Sequence, residues 1–138
     1  MNERDNRTLS SVFVLVVEDD PDMQELLRTI FEIAGAKVVT AGTVPEALEI
    51  LKRTTPHVLL IDIGLPGYNG YALIGRVRAL DDPVKRNLPA IALTAFASTT
   101  DRDIALTSGF QMFLSKPFDA DNLVDAIAQV IGLRRNAA

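Results

Sequence analysis

The chain has 138 residues, enough for one compact core and too few for two ordinary domains. Apolar residues make up 48% and charged residues 23%, a globular balance, and no apolar run reaches the roughly 20 residues that span a bilayer. The absence of cysteine excludes disulfides, thiolate metal sites and a cysteine nucleophile, while a net charge of −4 argues against a general nucleic-acid surface, which needs clustered cations.

Residues 1–11, MNERDNRTLSS, are polar and lack the apolar stretch of a secretory signal, which predicts a flexible tail on a cytoplasmic protein. The first strand is expected at VFVLVV, 12–17. A helix follows: Asp20 caps it, Pro21 takes its first position, Leu26, Leu27, Ile30 and Phe31 form its apolar stripe, and Gly35 ends it. After a second strand at KVVTA, 37–41, Thr43 and Glu46 form a capping box for a helix carrying Leu48 and Leu51. HVLLI, 57–61, is the third strand, and a third helix begins near Asn69 or Gly70 with Leu73, Ile74, Val77 and Leu80.

The polar loop DDPVKRN then leads to a fourth strand at AIALTA, 90–95. Ser98 with Asp101 resembles a capping box for the fourth helix, which Gly109 ends. MFLS, 112–115, is the fifth strand, and Asp119 caps a fifth helix whose Leu123, Ile127, Val130 and Ile131 face inward. Strands alternating with helices predict an α/β fold: a doubly wound, five-stranded parallel sheet covered on both faces by five helices, one domain over 12–133 with a short tail at 134–138.

Two strands end abruptly in acid. VFVLVV runs into Glu18-Asp19-Asp20, and HVLLI runs into Asp62. In open parallel sheets ligands bind at the carboxyl ends of strands, where the strand order reverses. With the order 2-1-3-4-5, strands one and three are neighbours there, and Glu18, Asp19 and Asp62 converge. Two carboxylates about 4.5 Å apart repel by roughly 4 kcal/mol at an effective dielectric near 20, so the cluster calls for a cation. Oxygen donors without His or Cys point to Mg²⁺ or Mn²⁺, magnesium being the better suited to carboxylates, water and a phosphate oxygen. Asp20 alone is accounted for as a helix cap.

Thr94 closes the fourth strand with a hydroxyl and Lys116 follows the fifth with an ammonium. Phosphoryl transfer depends on positioning and neutralising oxygen charge more than on covalent help, and metal, hydroxyl and ammonium each suit one phosphoryl oxygen. Singly, Thr94 reads as a strand residue and Lys116 as a surface lysine. Together with the acids they fall at the ends of four strands. His57 reads as the residue opening strand three.

These residues resemble the receiver domain of two-component response regulators, of the chemotaxis-regulator kind, from Val12 to about Leu133. The likeness rests on VLVVEDD, on DIGLPGYNG with Pro66 and Gly70 after Asp62, on LTA and on SKPF, in that order at the strand ends. The resemblance implies a flavodoxin-like sheet. It implies that Asp62 is the phosphoacceptor, that Asp19 binds the metal directly, Glu18 through water and Gly64 by its backbone carbonyl, and that Thr94 and Lys116 bind phosphoryl oxygens. Pro117 matches a proline preceded by a cis peptide bond, and Phe113 an aromatic that moves inward as the threonine hydroxyl turns. The donor would be a histidine kinase or histidine phosphotransfer protein, and the output a protein-binding surface on the fourth helix, fifth strand and fifth helix of a monomer or weak phosphorylation-dependent dimer. Gly64 and Phe96 flank the route of attacking water in receivers, so the resemblance carries over no lifetime for the phosphorylated state.

Other readings differ at stated residues. A haloacid dehalogenase-type phosphatase expects a second acid where Gly64 stands. A flavodoxin-like FMN module would place its phosphate against three acids. A receiver from a hybrid histidine kinase shares every motif, and an unphosphorylated receiver-like docking scaffold would not need the acids, Thr94 and Lys116 together.

Overall fold

The computed structural model describes residues 8–63, 70–95 and 99–132. The chain alternates β1 (Phe13–Val17), α1 (Pro21–Ile33), β2 (Lys37–Ala41), α2 (Val44–Arg53), β3 (Val58–Asp62), α3 (Gly70–Arg78), the short α4 (Pro83–Arg86), β4 (Ala90–Thr94), α5 (Thr99–Ser108), β5 (Met112–Ser115) and α6 (Ala120–Val130). All the strands pair in parallel, in the order β2-β1-β3-β4-β5. The expected topology is therefore present.

Alternation along the strands divides the core in two. Val14, Val16, Leu60, Ile91 and Leu93 face α1 and α6, where they meet Leu27, Phe31, Leu123 and Ile127. Leu15, Val17, Leu59, Ile61 and Ala92 face α2, α3 and α5, where they meet Leu51, Leu73, Ile74, Val77 and Ala105. Every residue of β3 and β4 is buried because helices cover both faces of these inner strands. Each large aliphatic side chain so buried contributes about 1.5–3 kcal/mol of transfer free energy.

Helix starts follow the chemistry read from the sequence. Asp20 Oδ1 accepts the Asp22 N–H at 3.1 Å, Thr43 Oγ1 the Glu46 N–H at 3.1 Å and Asp119 Oδ1 the Asn122 N–H at 2.8 Å. Glu46 reaches back to the Gly42 N–H at 2.5 Å, one residue before the cap. Gly109, after α5, has φ 122°, a left-handed conformation in which a side chain would be strained. Gly70 opens α3 against the end of β3, where a Cβ would collide with Ile63 and Ile61 side chains. Ser98 of the expected fourth-helix capping box lies outside the described residues.

Three expectations differ. The DDPVKRN loop contains the extra helix α4, because Asp82 repeats the start seen at α1: its carboxylate accepts the Val84 N–H at 2.9 Å and Pro83 follows at the first position. Residues Thr8–Ser11, expected within a flexible tail, fold back. Leu9 is fully buried among Phe31 and its neighbours, and its N–H donates to Ala34 O at 2.8 Å. Finally, Leu26 leaves the core stripe of α1 and is 46% exposed, while Leu27 and Phe31 carry the packing.

Candidate functional site

Register brings the strand ends together. Val17 pairs with Ile61, so Glu18 and Asp62 are neighbours just beyond; Asp62 pairs with Leu93, and Thr94 with Ser115, just before Lys116. Glu18, Asp62 and Thr94 are 1%, 2% and 1% exposed, and they are the buried polar side chains among the described residues. A protein interior keeps such groups only where they are paired or used.

Lys116 supplies the pairing. Its Nζ lies 2.5 Å from Asp62 Oδ2, and its backbone N–H donates to Thr94 O at 2.7 Å, which fastens the residue to the end of β4. The Lys116–Pro117 peptide bond is cis, as the resemblance implies. Glu18 is held from its own loop: Oε2 accepts the Asp20 N–H at 3.0 Å, and Gln24 Nε2 donates to the Glu18 backbone carbonyl. Burial, followed by hydrogen bonding to Asp62, pushes the Glu18 carboxyl up from 4.5 to about 8, despite the opposing influence of the Asp20 N–H. Its buried Oε1 has no hydrogen-bond partner among the described residues.

The donor set suits a hard divalent cation, since it offers carboxylate oxygens and Glu18 Oε1 is an acceptor that the described residues leave unused. Asp19, by contrast, is exposed. Among the described residues no three His, Cys, Asp or Glu side chains gather closely enough to hold a metal ion by themselves. Gly64 lies outside the described residues, as do Pro66 and Phe96. His57 is at the opposite end of the sheet, where its Nδ1 accepts the Phe13 N–H at 2.8 Å.

Phe113 stands on β5 opposite Ala92, half-buried on the sheet face covered by α5. The Arg102 guanidinium carbon of α5 sits 6.0 Å from the centre of its ring. A feature missed in the sequence is an apolar groove of about 440 Å³ beside the site, lined by Met23, Leu26, Pro117 and Phe118 with Lys116 at its edge. The signal was available: Met23, Leu26, Ile30 and Ile33 recur at helical spacing, a second apolar stripe beyond the one that Leu27 and Phe31 bury.

A model of the response regulator receiver domain matches residues 14–128. An uncharacterised 14.6 kDa protein of Leptolyngbya boryana is 46% identical over 123 residues, covering 89% of this chain and 92% of that protein. The response regulator Rre1 of Synechocystis is 34% identical over 128 residues, 92% of this chain but 54% of its own length. The chain thus spans about half of that longer relative. Among solved structures, a response regulator from Chloroflexus aurantiacus superposes with a TM-score of 0.81 at 31% identity, covering 89% of this chain and 99% of that one. The receiver domain of the sensor histidine kinase PA1611 from Pseudomonas aeruginosa, solved with magnesium in its active-site cleft, reaches 0.79 at 30% identity over 89% of this chain and 99% of its own. With the family pattern matched along most of its length and its acids, threonine and lysine at the strand ends, this chain belongs to the response regulator receiver domains of two-component signalling.

Proposed function

We propose that this domain accepts a phosphoryl group on Asp62 from a phosphohistidine of a histidine kinase or phosphotransfer protein, and that the modification alters a protein-binding surface on α5, β5 and α6. The observation that carries the reading is a nearly fully buried Asp62 carboxylate whose charge is met by Lys116 Nζ at 2.5 Å, beside Glu18 just past the end of the adjacent strand. In the transfer an Asp62 oxygen forms the new P–O bond as the donor's P–N bond breaks, and the electron pair leaves with the imidazole. Lys116 exchanges its carboxylate partner for a phosphoryl oxygen, and the Thr94 hydroxyl donates to another. A magnesium or manganese ion held by Glu18, Asp19, Asp62 and the Gly64 carbonyl would neutralise charge on the transferred group.

The groove of Met23, Leu26 and Phe118 is where an apolar helical face of the donor protein would seat, since it adjoins Lys116 and needs no rearrangement of the core. The domain acts as a phosphoacceptor that assists its own phosphorylation and dephosphorylation, in the cytoplasm, with protein rather than nucleic-acid partners. None of the described helices is long and apolar enough to cross a membrane.

The test is intact-mass measurement after incubation with acetyl phosphate, with and without Mg²⁺. One phosphoryl adduct is expected, dependent on the cation and absent in Asp62→Ala, while Leu26→Asp should label normally with acetyl phosphate and slowly from a phosphohistidine protein. An adduct that persists in Asp62→Ala or in excess chelator overturns the assignment. No adduct under any condition would favour the docking scaffold.

A further inference from the structure

A second cavity, of about 420 Å³, lies between α2, α3 and the loop that holds α4. The helices run back from the carboxyl ends of the strands, so the final turns of α2 and α3 that line it are at the opposite end of the sheet from Asp62. Its floor is Leu48, Leu51 and Leu80; its rim carries Lys52, Arg76 and Lys85 together with Asp81 and Asp82. The volume falls within the range of small-ligand sites, which combine an apolar lining with a few polar groups.

The charges on this rim are not equally available. Asp82 is turned onto the start of α4, where its Oδ1 accepts the Val84 and Lys85 N–H groups at 2.9 and 3.4 Å. Lys52 lies 3.8 Å from Glu49, an acid outside the rim that is drawn to Arg53 at 2.9 Å. Among the described residues the Arg76 guanidinium and Lys85 ammonium have no side-chain partner, and Asp81, whose backbone carbonyl accepts from Arg86 Nη1 at 3.3 Å, is the one rim acid whose carboxylate has none. In a chain of net charge −4, the charged residues of this rim sum to +1, and two of its cations are uncommitted.

We infer that this cavity is a binding site for a small organic anion, with a flat or branched apolar body over Leu48, Leu51 and Leu80 and a carboxylate or phosphate between Arg76 and Lys85. The site adjoins a cluster of hydrogen bonds centred on Arg78. Arg78, two residues beyond Arg76, donates to the carbonyl of Arg86, which follows Lys85, at 2.9 Å, to Leu88 O at 2.7 Å and to Gly109 O at 2.7 and 3.0 Å. An occupant here would therefore bear on the segment that leads into β5, and the residues that hold it do not include Asp62.

The probe is 2-naphthyl phosphate, titrated into the ¹⁵N-labelled domain and followed by heteronuclear NMR, with 2-naphthol and inorganic phosphate as separate arms. Saturable shifts are expected at amides of residues 48–52 and 76–85, with 2-naphthol and phosphate each at least about tenfold weaker, tenfold being worth roughly 1.4 kcal/mol. Arg76→Glu and Lys85→Glu should each lower affinity by about the same factor while the rest of the spectrum keeps its dispersion. Shifts that do not saturate, equal binding of 2-naphthol, shifts confined to the Met23–Phe118 groove, or unchanged affinity in both charge reversals would overturn the inference. If Lys85→Glu disturbs α4, Lys85→Gln supplies the same comparison at neutral charge.

Discussion

Glu18 and Lys116 hold opposite stakes in the same carboxylate. Glu18 keeps its proton to about pH 8 in the folded domain and to about 4.5 in the unfolded chain. Between those values the folded state binds more protons, so the metal-free domain loses stability as pH rises from 4.5 through 8. Each pKa unit that survives water entry on deprotonation is worth about 1.4 kcal/mol, which in a domain of this size moves the midpoint of melting by a few degrees. Glu18→Gln should flatten this part of the stability–pH curve; parallel curves for the two proteins in thermal melts would show that Glu18 is not its source. Lys116 acts on Asp62 from the other side of the pair. Since Lys116 meets the Asp62 carboxylate in the resting arrangement and would take a phosphoryl oxygen in the proposed reaction, Lys116→Ala is expected to label slowly with acetyl phosphate and to lose the response of the proposed output surface. Mass spectrometry reads the first effect and partner binding the second; wild-type binding by phosphorylated Lys116→Ala would remove the lysine from the switch.

Elements built from strong local signals were legible in the sequence. Asp20-Pro21, Thr43 with Glu46, and Asp119 each place a hydrogen-bond acceptor over the first turn of a helix, and each cap is present. The same Asp-Pro signal at Asp82-Pro83 went unread because α4 spans four residues and has no apolar stripe to mark it. Leu9 was missed for a different reason. One leucine in MNERDNRTLSS has no periodicity, and only the folded core shows the space beside Phe31 that it fills. Its burial is complete and its N–H is tied to Ala34 O, so Leu9→Ala should cost about 2–5 kcal/mol, the usual range for a buried leucine truncated to alanine. Urea unfolding measures this directly. A loss below about 1 kcal/mol, within the scatter of surface substitutions, would mean that the segment does not hold the core.

At the scale of the molecule, the convergence of Glu18, Asp62, Thr94 and Lys116 was legible because strand ends and strand order dictate it, whereas the pairing within the site was not. Which partner Asp62 takes depends on how far Lys116 reaches across the sheet edge. The same holds for Phe113: its place on β5 is readable from the chain, but the Arg102 guanidinium over its ring comes from the packing of α5. That contact suggests how the proposed signal would cross the domain. Phe113 has no hydroxyl, so an inward position gains apolar burial, worth about 1.5–3 kcal/mol for a fully buried ring, and gives up a cation–π contact worth about 0.5–1 kcal/mol at an exposed site. A difference of this size biases two states without forcing the shift of roughly 5.5 kcal/mol that converts one almost wholly into the other. The unphosphorylated domain should therefore sample both positions, and Phe113→Ala should weaken the response of α5 and α6 while leaving phosphorylation of Asp62 intact. NMR spectra with and without beryllofluoride, an acyl-phosphate mimic, test this: shifts are expected across residues 99–130 in the wild type, reduced in Phe113→Ala. Changes confined to the neighbourhood of Asp62 in the wild type would show that the signal does not travel through Thr94 and Phe113.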